Sequence, residues 1–334
     1  MSINMRYCLS LLFVFISIYS CSGQNSKSEN FAPQSTVAIQ RFDKELYDYL
    51  KDPSSENRKI LESKYTKFLP AFGRITINNS DSYELEFYTR LQTYFSNQML
   101  SKIYDDALKT FEDLTSYEQE ISYANNLVAG EFNGRYLPAL YLHVSGFKEN
   151  VIVLDNVISL SADKYLGSDY PAYKQFFDTY RLIQMQPKFI SRDYLKAWLL
   201  SEVVIAKKNS NLLDEMIKDG KILYSLSVLL PNWLSSDLIT YTLEQETWCT
   251  NNEKRIWQTI VQSNHLYSQD NLMISKYIND APYTSNLSTD SPGRVGAWVG
   301  WQIVKAYMSK NNVSLNQMLT VDSQKILKDS RYNP

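Results

Sequence analysis

Residues 137–161 read LPALYLHVSGFKENVIVLDNVISLS, and their texture differs from that of the chain on either side. Residues 137–145 and 151–161 are short, rich in β-branched side chains and partly alternating, the pattern of half-buried strands. Between them Gly146-Phe147-Lys148-Glu149-Asn150 supplies turn residues. A small β-sheet or hairpin is therefore expected around residues 137–161. Moving outward, apolar residues recur at helical spacing instead. Upstream, Ile39, Phe42, Leu46, Tyr49 and Leu50 mark one helix, and Asp52-Pro53 reads as a cap and first-turn proline for the next, residues 54–68. Asp81 with Glu84, and Thr115 with Glu118, have the spacing of capping boxes opening two more. Downstream, helical patterns occupy residues 170–185, 192–207, 212–229, 236–248, 252–267, 293–310 and 314–329, the last opened by Ser314 with Gln317. The expected fold class is α+β, predominantly α-helical, with residues 38–334 as a single helix-rich domain. No fixed-period repeat points to a solenoid.

Composition supports a packed core. Of 334 residues, 44% are hydrophobic and 21% charged, close to ordinary globular chains, which excludes a largely disordered protein. Aromatic residues are abundant, with 25 Tyr, 14 Phe and 6 Trp, whereas there are only two His. The net charge of −2 and the absence of a basic run leave no electrostatic footprint for nucleic acid.

The N-terminus has a different character. Arg6 is the only charged residue before Lys27, and LSLLFVFISI (residues 9–18) follows it. A basic start and a ten-residue apolar run fit a secretory signal and are too short to span a bilayer. The run ends in Ile18-Tyr19-Ser20-Cys21, which resembles a bacterial lipobox. That resemblance implies a signal peptide over residues 1–20, lipidation (palmitate among the acyl groups) of Cys21, and a polar flexible tether over residues 21–37. Cys8 would leave with the signal, so Cys249 alone would remain free and no disulfide could form within the mature chain.

Catalytic constellations are thin. His143 and His265 are 122 residues apart, and neither belongs to an H-E-x-x-H pattern. No G-x-S-x-G elbow, Walker or dinucleotide glycine pattern occurs. Gly293, Gly296 and Gly300 read as a helix face that lets another element approach. Cys249 reads as core packing. Among carboxylates, Glu202 falls on the apolar stripe of Leu195, Trp198, Leu199, Val203 and Ala206, where it needs a basic partner or a raised pKa. Glu244, Glu246 and Glu253 around Trp248 and Trp257 fit either an acidic aromatic cleft or a solvated surface. Ser291 and Pro292 read as the start of the helix through residue 310. Arg294 beside that start opposes the helix dipole and calls for an acidic partner, with Glu202 one candidate. No catalytic residue, metal site or cofactor is assigned.

Several blocks together resemble the gliding-motility lipoprotein GldB family of Bacteroidetes. They are RFDKELY from Arg41, SLSADKYLGSDYPAY from Ser159, DEMIKDGKILY from Asp214, LEQETWCTNNEKRIW from Leu243 and APYTSNLSTDSPGRVGAWVGWQIVKAYM from Ala281. The resemblance implies a lipid-anchored envelope protein, facing the periplasm, that serves gliding and supports type IX secretion. Its partners would be the membrane and other gliding or secretion proteins. The region also looks like a degenerate relative of H-E-x-x-H zinc peptidases. In that comparison residues 201–205 (SEVVI) occupy the motif with Glu202 kept and both histidines lost, which implies a degenerate zincin-like core without zinc.

The leading expectation is thus a non-catalytic, lipid-anchored gliding protein. The alternatives are an envelope hydrolase, either a residual peptidase or a carboxylate-dependent enzyme using Glu202, and a glycan- or peptide-binding lipoprotein.

Overall fold

In the computed structural model, residues 36–203 and 209–334 are described, with the backbone only at 202 and 203. The expected signal peptide, Cys21 and nearly all of the tether lie outside the described residues. The chain begins with helices α1 (Phe42–Lys51), α2 (Ser55–Lys64), α3 (Phe68–Ile77), α4 (Leu85–Phe95), α5 (Gln98–Thr110) and α6 (Thr115–Glu131). Strands β1 (Ala139–His143), β2 (Val151–Leu154) and β3 (Val157–Ser161) follow. A run of 3-10 turns then leads to α7 (Ile190–Trp198), which passes into a π-helical turn at Leu199–Val203. The second half comprises α8 (Leu212–Leu229), α9 (Ser235–Ile239), α10 (Leu243–Gln262), α11 (Asn271–Ile278), α12 (Val295–Lys310), α13 (Leu315–Thr320) and α14 (Ser323–Ser330). The fold is α+β and mostly helical, with one extended hydrophobic core in which the two halves meet.

The sheet exists, but its turn lies elsewhere than expected. Its order is β1-β3-β2, with β1 parallel to β3 and β2 antiparallel to β3. The tight connection is Asp155-Asn156, with Asn156 at φ 58°, and not residues 146–150. Residues 146–150 instead carry the chain from β1 to the far edge. Asn was the available signal, since its short polar side chain tolerates the left-handed region. Gln40 bridges Tyr141 in parallel and adds a short stub beside β1.

Several helix boundaries also depart from the periodicity. Residues 81–110 form two helices, because the Asn97 side chain accepts the amides of Met99 and Leu100 and restarts the chain. Neither Asp81 nor Thr115 makes a capping box: the N-cap residues there are Glu84 and Leu114, without side-chain caps. Glu118 accepts the amide of Ile39 at 2.9 Å and so ties the entry strand to α6. The cap before α2 is Ser54, one residue beyond Pro53. Residues 170–185 are 3-10 turns and loop, held by Tyr173, whose hydroxyl donates to Asp163 O. The expected helix over residues 236–248 breaks at Thr240 (φ 62°), and a capping box of Thr242 with Gln245 opens α10. The Ser314 and Gln317 capping box is present.

The innermost packing is α8 against α12. Met216, Ile217, Leu223, Val299, Ile303 and Val304 are all buried around that crossing. A Cβ on Gly300 would overlap the Met216 carbonyl, and one on Gly220 would overlap the Gly300 carbonyl. Backbone meets backbone there through Gly300, whereas Gly296 faces Tyr277 and Ile278 of α11 and Gly293, which precedes α12, packs on Ala281, so the three glycines do not form one face. Ser291 and Pro292, however, do not start the helix. Ser291 Oγ accepts the Thr284 amide and donates to Ser288 O, closing the preceding loop, and Arg294 in the left-handed region (φ 59°) is the N-cap residue.

Candidate binding cleft

α7 carries the first polar wall of a cavity of about 450 Å³. Its inner face buries Ile190, Tyr194, Leu195 and Trp198, which leaves Arg192, Asp193, Lys196, Ala197 and Leu200 toward the opening. α8 forms the opposite wall with Asp219, Ile222, Leu223 and Leu226, and Leu238 and Thr240 close one end. Val151 and Val153 of β2 form the sheet side, and Arg294 stands at the mouth. Three compartments of about 420, 220 and 200 Å³ adjoin it, the first sharing Lys196, Asp219 and Arg294 with it and the other two Gln184, and they bring in Tyr180, Arg181, Lys164 and Asp280.

The charges in this cleft are of two kinds. Arg192 is held: its Nε donates to Asp193 Oδ1 at 2.8 Å and its Nη1 to the Asp237 carbonyl at 3.2 Å. Asp193 also accepts from the Tyr165 hydroxyl at 2.9 Å, so this pair is fully engaged. Lys196 and Asp219 differ. They feel each other and Arg294 electrostatically, yet neither makes a hydrogen bond or close ion pair with a described residue. Burial pushes the Lys196 pKa down, with Arg294 and Arg192 acting the same way against Asp193 and Asp219. Burial pushes the Asp219 carboxyl up, opposed by Arg294, Lys196 and Lys218. Arg294 reaches the Ile239 carbonyl at 3.2 Å, with Asp280 3.6 Å away.

Of the residues singled out by sequence, Arg294 is therefore in the cleft, and its described acidic neighbours are Asp280 and Asp219. Glu202 sits in the π-helical turn next to Leu200 and Ser201, both cavity-lining, but its side chain lies outside the described residues. Such turns interrupt helices frequently at functional sites. Glu246 and Glu253 do not line this cleft. They project from α10, where Glu246 accepts from Ser235 Oγ and Glu253 accepts from the Tyr332 hydroxyl at 2.8 Å. Glu244 is fully exposed beside them. Trp257 packs edge-on against Tyr332, which makes this region a helix-to-tail contact.

Lys196 and Asp219 were not singled out in the sequence. A signal was present: Arg192 and Lys196 are like charges at i,i+4 on one helix, an arrangement that costs energy unless a carboxylate offsets it, as Asp193 does for Arg192.

The histidines and the cysteine are core or near-core groups. His143 is fully buried under Phe68 and Phe72, with Nδ1 bonded to Ser159 Oγ at 2.7 Å. Burial lowers its pKa to about 3 and keeps it neutral. Ser145, Ser161 and Asp163 continue this polar seam, with Asp163 accepting from Ser161 Oγ and from the Phe147 amide at 2.7 Å. His265 follows the end of α10 and bonds the Tyr277 hydroxyl at 3.0 Å. Burial raises the Cys249 thiol to about 12, which suits packing and not nucleophilic work. Among the described residues no group of three or more His, Cys, Asp or Glu is arranged to hold a metal ion.

No helix among the described residues is long and apolar enough to cross a membrane. No curated protein and no solved structure matches the chain. The profile of the family described as gliding motility protein GldB matches residues 24–334, nearly the whole length. The match takes in every one of the quoted sequence blocks and both walls of the cleft, and the family implies association with the cell envelope. The chain belongs to the gliding motility protein GldB family, and its involvement in gliding motility follows from that membership.

Proposed function

We propose that this protein is a lipid-anchored, non-catalytic component of the bacterial envelope that is required for gliding and supports type IX secretion. The observation that carries the reading is the family match over residues 24–334, set beside the lipobox-like Ile18-Tyr19-Ser20-Cys21. Cys21 carries the lipids, the residues after it tether the body up to Val37, whose amide donates to Ser122 Oγ at 2.9 Å, and the helical domain faces the periplasm. Several acyl chains on one terminus anchor stably where a single chain would not. The cleft residues support binding rather than turnover. Lys196, Asp219 and Arg294 are charged groups that can orient a ligand, and the thiol and imidazoles lie apart from them.

Deleting the gene in the source bacterium should abolish colony spreading and reduce secretion of type IX substrates. Complementation with Glu202→Gln should restore both, because no proton transfer by Glu202 is required. A deletion strain that spreads and secretes normally would sink the gliding role. Failure of Glu202→Gln alone, in a protein of wild-type abundance and melting temperature, would revive the hydrolase alternative.

A further inference from the structure

The outer edge of β2 is unpaired. The Ser161 amide donates to Asn150 O, which fixes the ladder phase: Asn150, Ile152 and Leu154 exchange bonds with β3. In an antiparallel ladder the intervening residues then direct their N–H and C=O groups away from the partner strand. Those residues are Val151 and Val153, and neither finds a backbone partner on the outer side among the described residues. Both also line the 450 Å³ cavity. An open sheet edge is a template for another strand, and natural proteins usually cover or charge it. The same cavity is lined by the apolar side chains of Ile222, Leu223 and Leu226 and by the cations Lys196 and Arg294.

We propose that the cleft binds the carboxyl-terminal end of an extended peptide, which pairs with the outer edge of β2 and places its terminal carboxylate between Lys196 and Arg294.

Three observations converge on that ligand. Two outward-facing residues offer main-chain pairing for a short strand, the mode of β-strand addition, in which pockets select alternate side chains. The apolar wall takes one such side chain. The cleft and its adjoining compartments hold Lys164, Arg181, Lys196 and Arg294 against Asp219 and Asp280, once the internally paired Arg192 and Asp193 are set aside. The remaining charge attracts an anion, and a terminal carboxylate lies on the strand's own backbone line. A cavity of this volume suits a few residues, an end and not a through-running segment. Lys196, with no hydrogen-bond or ion-pair partner among the described residues, gains a charge-assisted hydrogen bond. This binding activity is independent of the gliding reading and is tested without it.

The test uses the full chain purified in detergent and a fluorescein-labelled library of synthetic hexapeptides with alternating apolar and polar residues. One half of the library ends in a free carboxylate and the other in a carboxamide. Anisotropy should show binding to members of the acid library, and amidation of the tightest binders should weaken them at least tenfold. Lys196→Met should lose most of that factor for the acid and leave the amide unaffected, so that the acid-over-amide preference shrinks to what Arg294 alone supplies. Val153→Pro removes the outward amide while sparing the ladder bonds of Ile152 and Leu154, and should weaken acid and amide alike. The proposal is overturned by absence of binding from either half, by equal affinity for acid and amide in the wild-type chain, or by a Lys196→Met protein that prefers the acid as strongly as the wild type does.

Discussion

His143 shows how a single buried group writes itself into the pH dependence of the whole chain. Its pKa of about 3 in the folded state lies below the value near 6.5 of an unfolded chain. Between those two values the unfolded chain binds a proton that the native state refuses, so this residue makes stability fall as pH drops from about 6.5. From pH 7 to 5 its contribution should amount to about 2 kcal/mol. Buried Asp43 and Asp163, whose pKa values burial raises, act in the opposite direction over their own range. The comparison is therefore between wild type and His143→Asn. Urea midpoints should fall more steeply with acid in the wild type, and parallel slopes would show that the imidazole is not held neutral. Asp43 supplies a second residue-scale expectation. It is fully buried and accepts from Arg41 Nε at 2.9 Å and Nη2 at 2.8 Å, while Arg41 also reaches the Phe111 carbonyl. Asp43→Ala strands that guanidinium and should cost about 3 kcal/mol in urea unfolding.

At the scale of elements, the α8–α12 crossing is the most constrained contact. Helix propensity alone would make Gly300→Ala stabilising by about 1 kcal/mol. The Met216 carbonyl leaves no room for a methyl group, so the substitution should instead destabilise, by roughly 1–3 kcal/mol or more as the helices are forced apart. A stabilised Gly300→Ala protein in thermal or urea melts would contradict the packing. This crossing was legible in the sequence through Gly300, because a glycine inside a helical pattern has few other uses. α8 was legible to the residue, since its period runs unbroken from Leu212 to Leu229. The 3-10 run over residues 171–184 was not: Tyr173, Leu182 and Met185 bury a small satellite cluster, although Tyr173 and Leu182, nine residues apart, would fall on opposite faces of one α-helix. The hairpin was misplaced because Gly146 outweighed Asn156 as a turn signal. Of the cleft, Arg294 was visible as a charge at the wrong end of a helix. Lys196 and Asp219 become a pair only when α7 and α8 are brought face to face, which no local pattern encodes.

At the scale of the molecule, the helical body offers a charged, partly apolar cleft beside an open strand edge, and in the proposed function the lipobox-like segment anchors that body to a membrane. The proposed gliding role rests on the anchor, and the proposed peptide binding in the cleft stands apart from it. The two can be separated experimentally, because Cys21 is not among the residues that line the cleft. The most direct measurement is the colony-spreading rate of a deletion strain that expresses Cys21→Ala at the wild-type level. The account predicts a folded protein released from the membrane fraction and colonies that do not spread, with spreading restored by the wild-type gene. Normal spreading by the Cys21→Ala strain would contradict it.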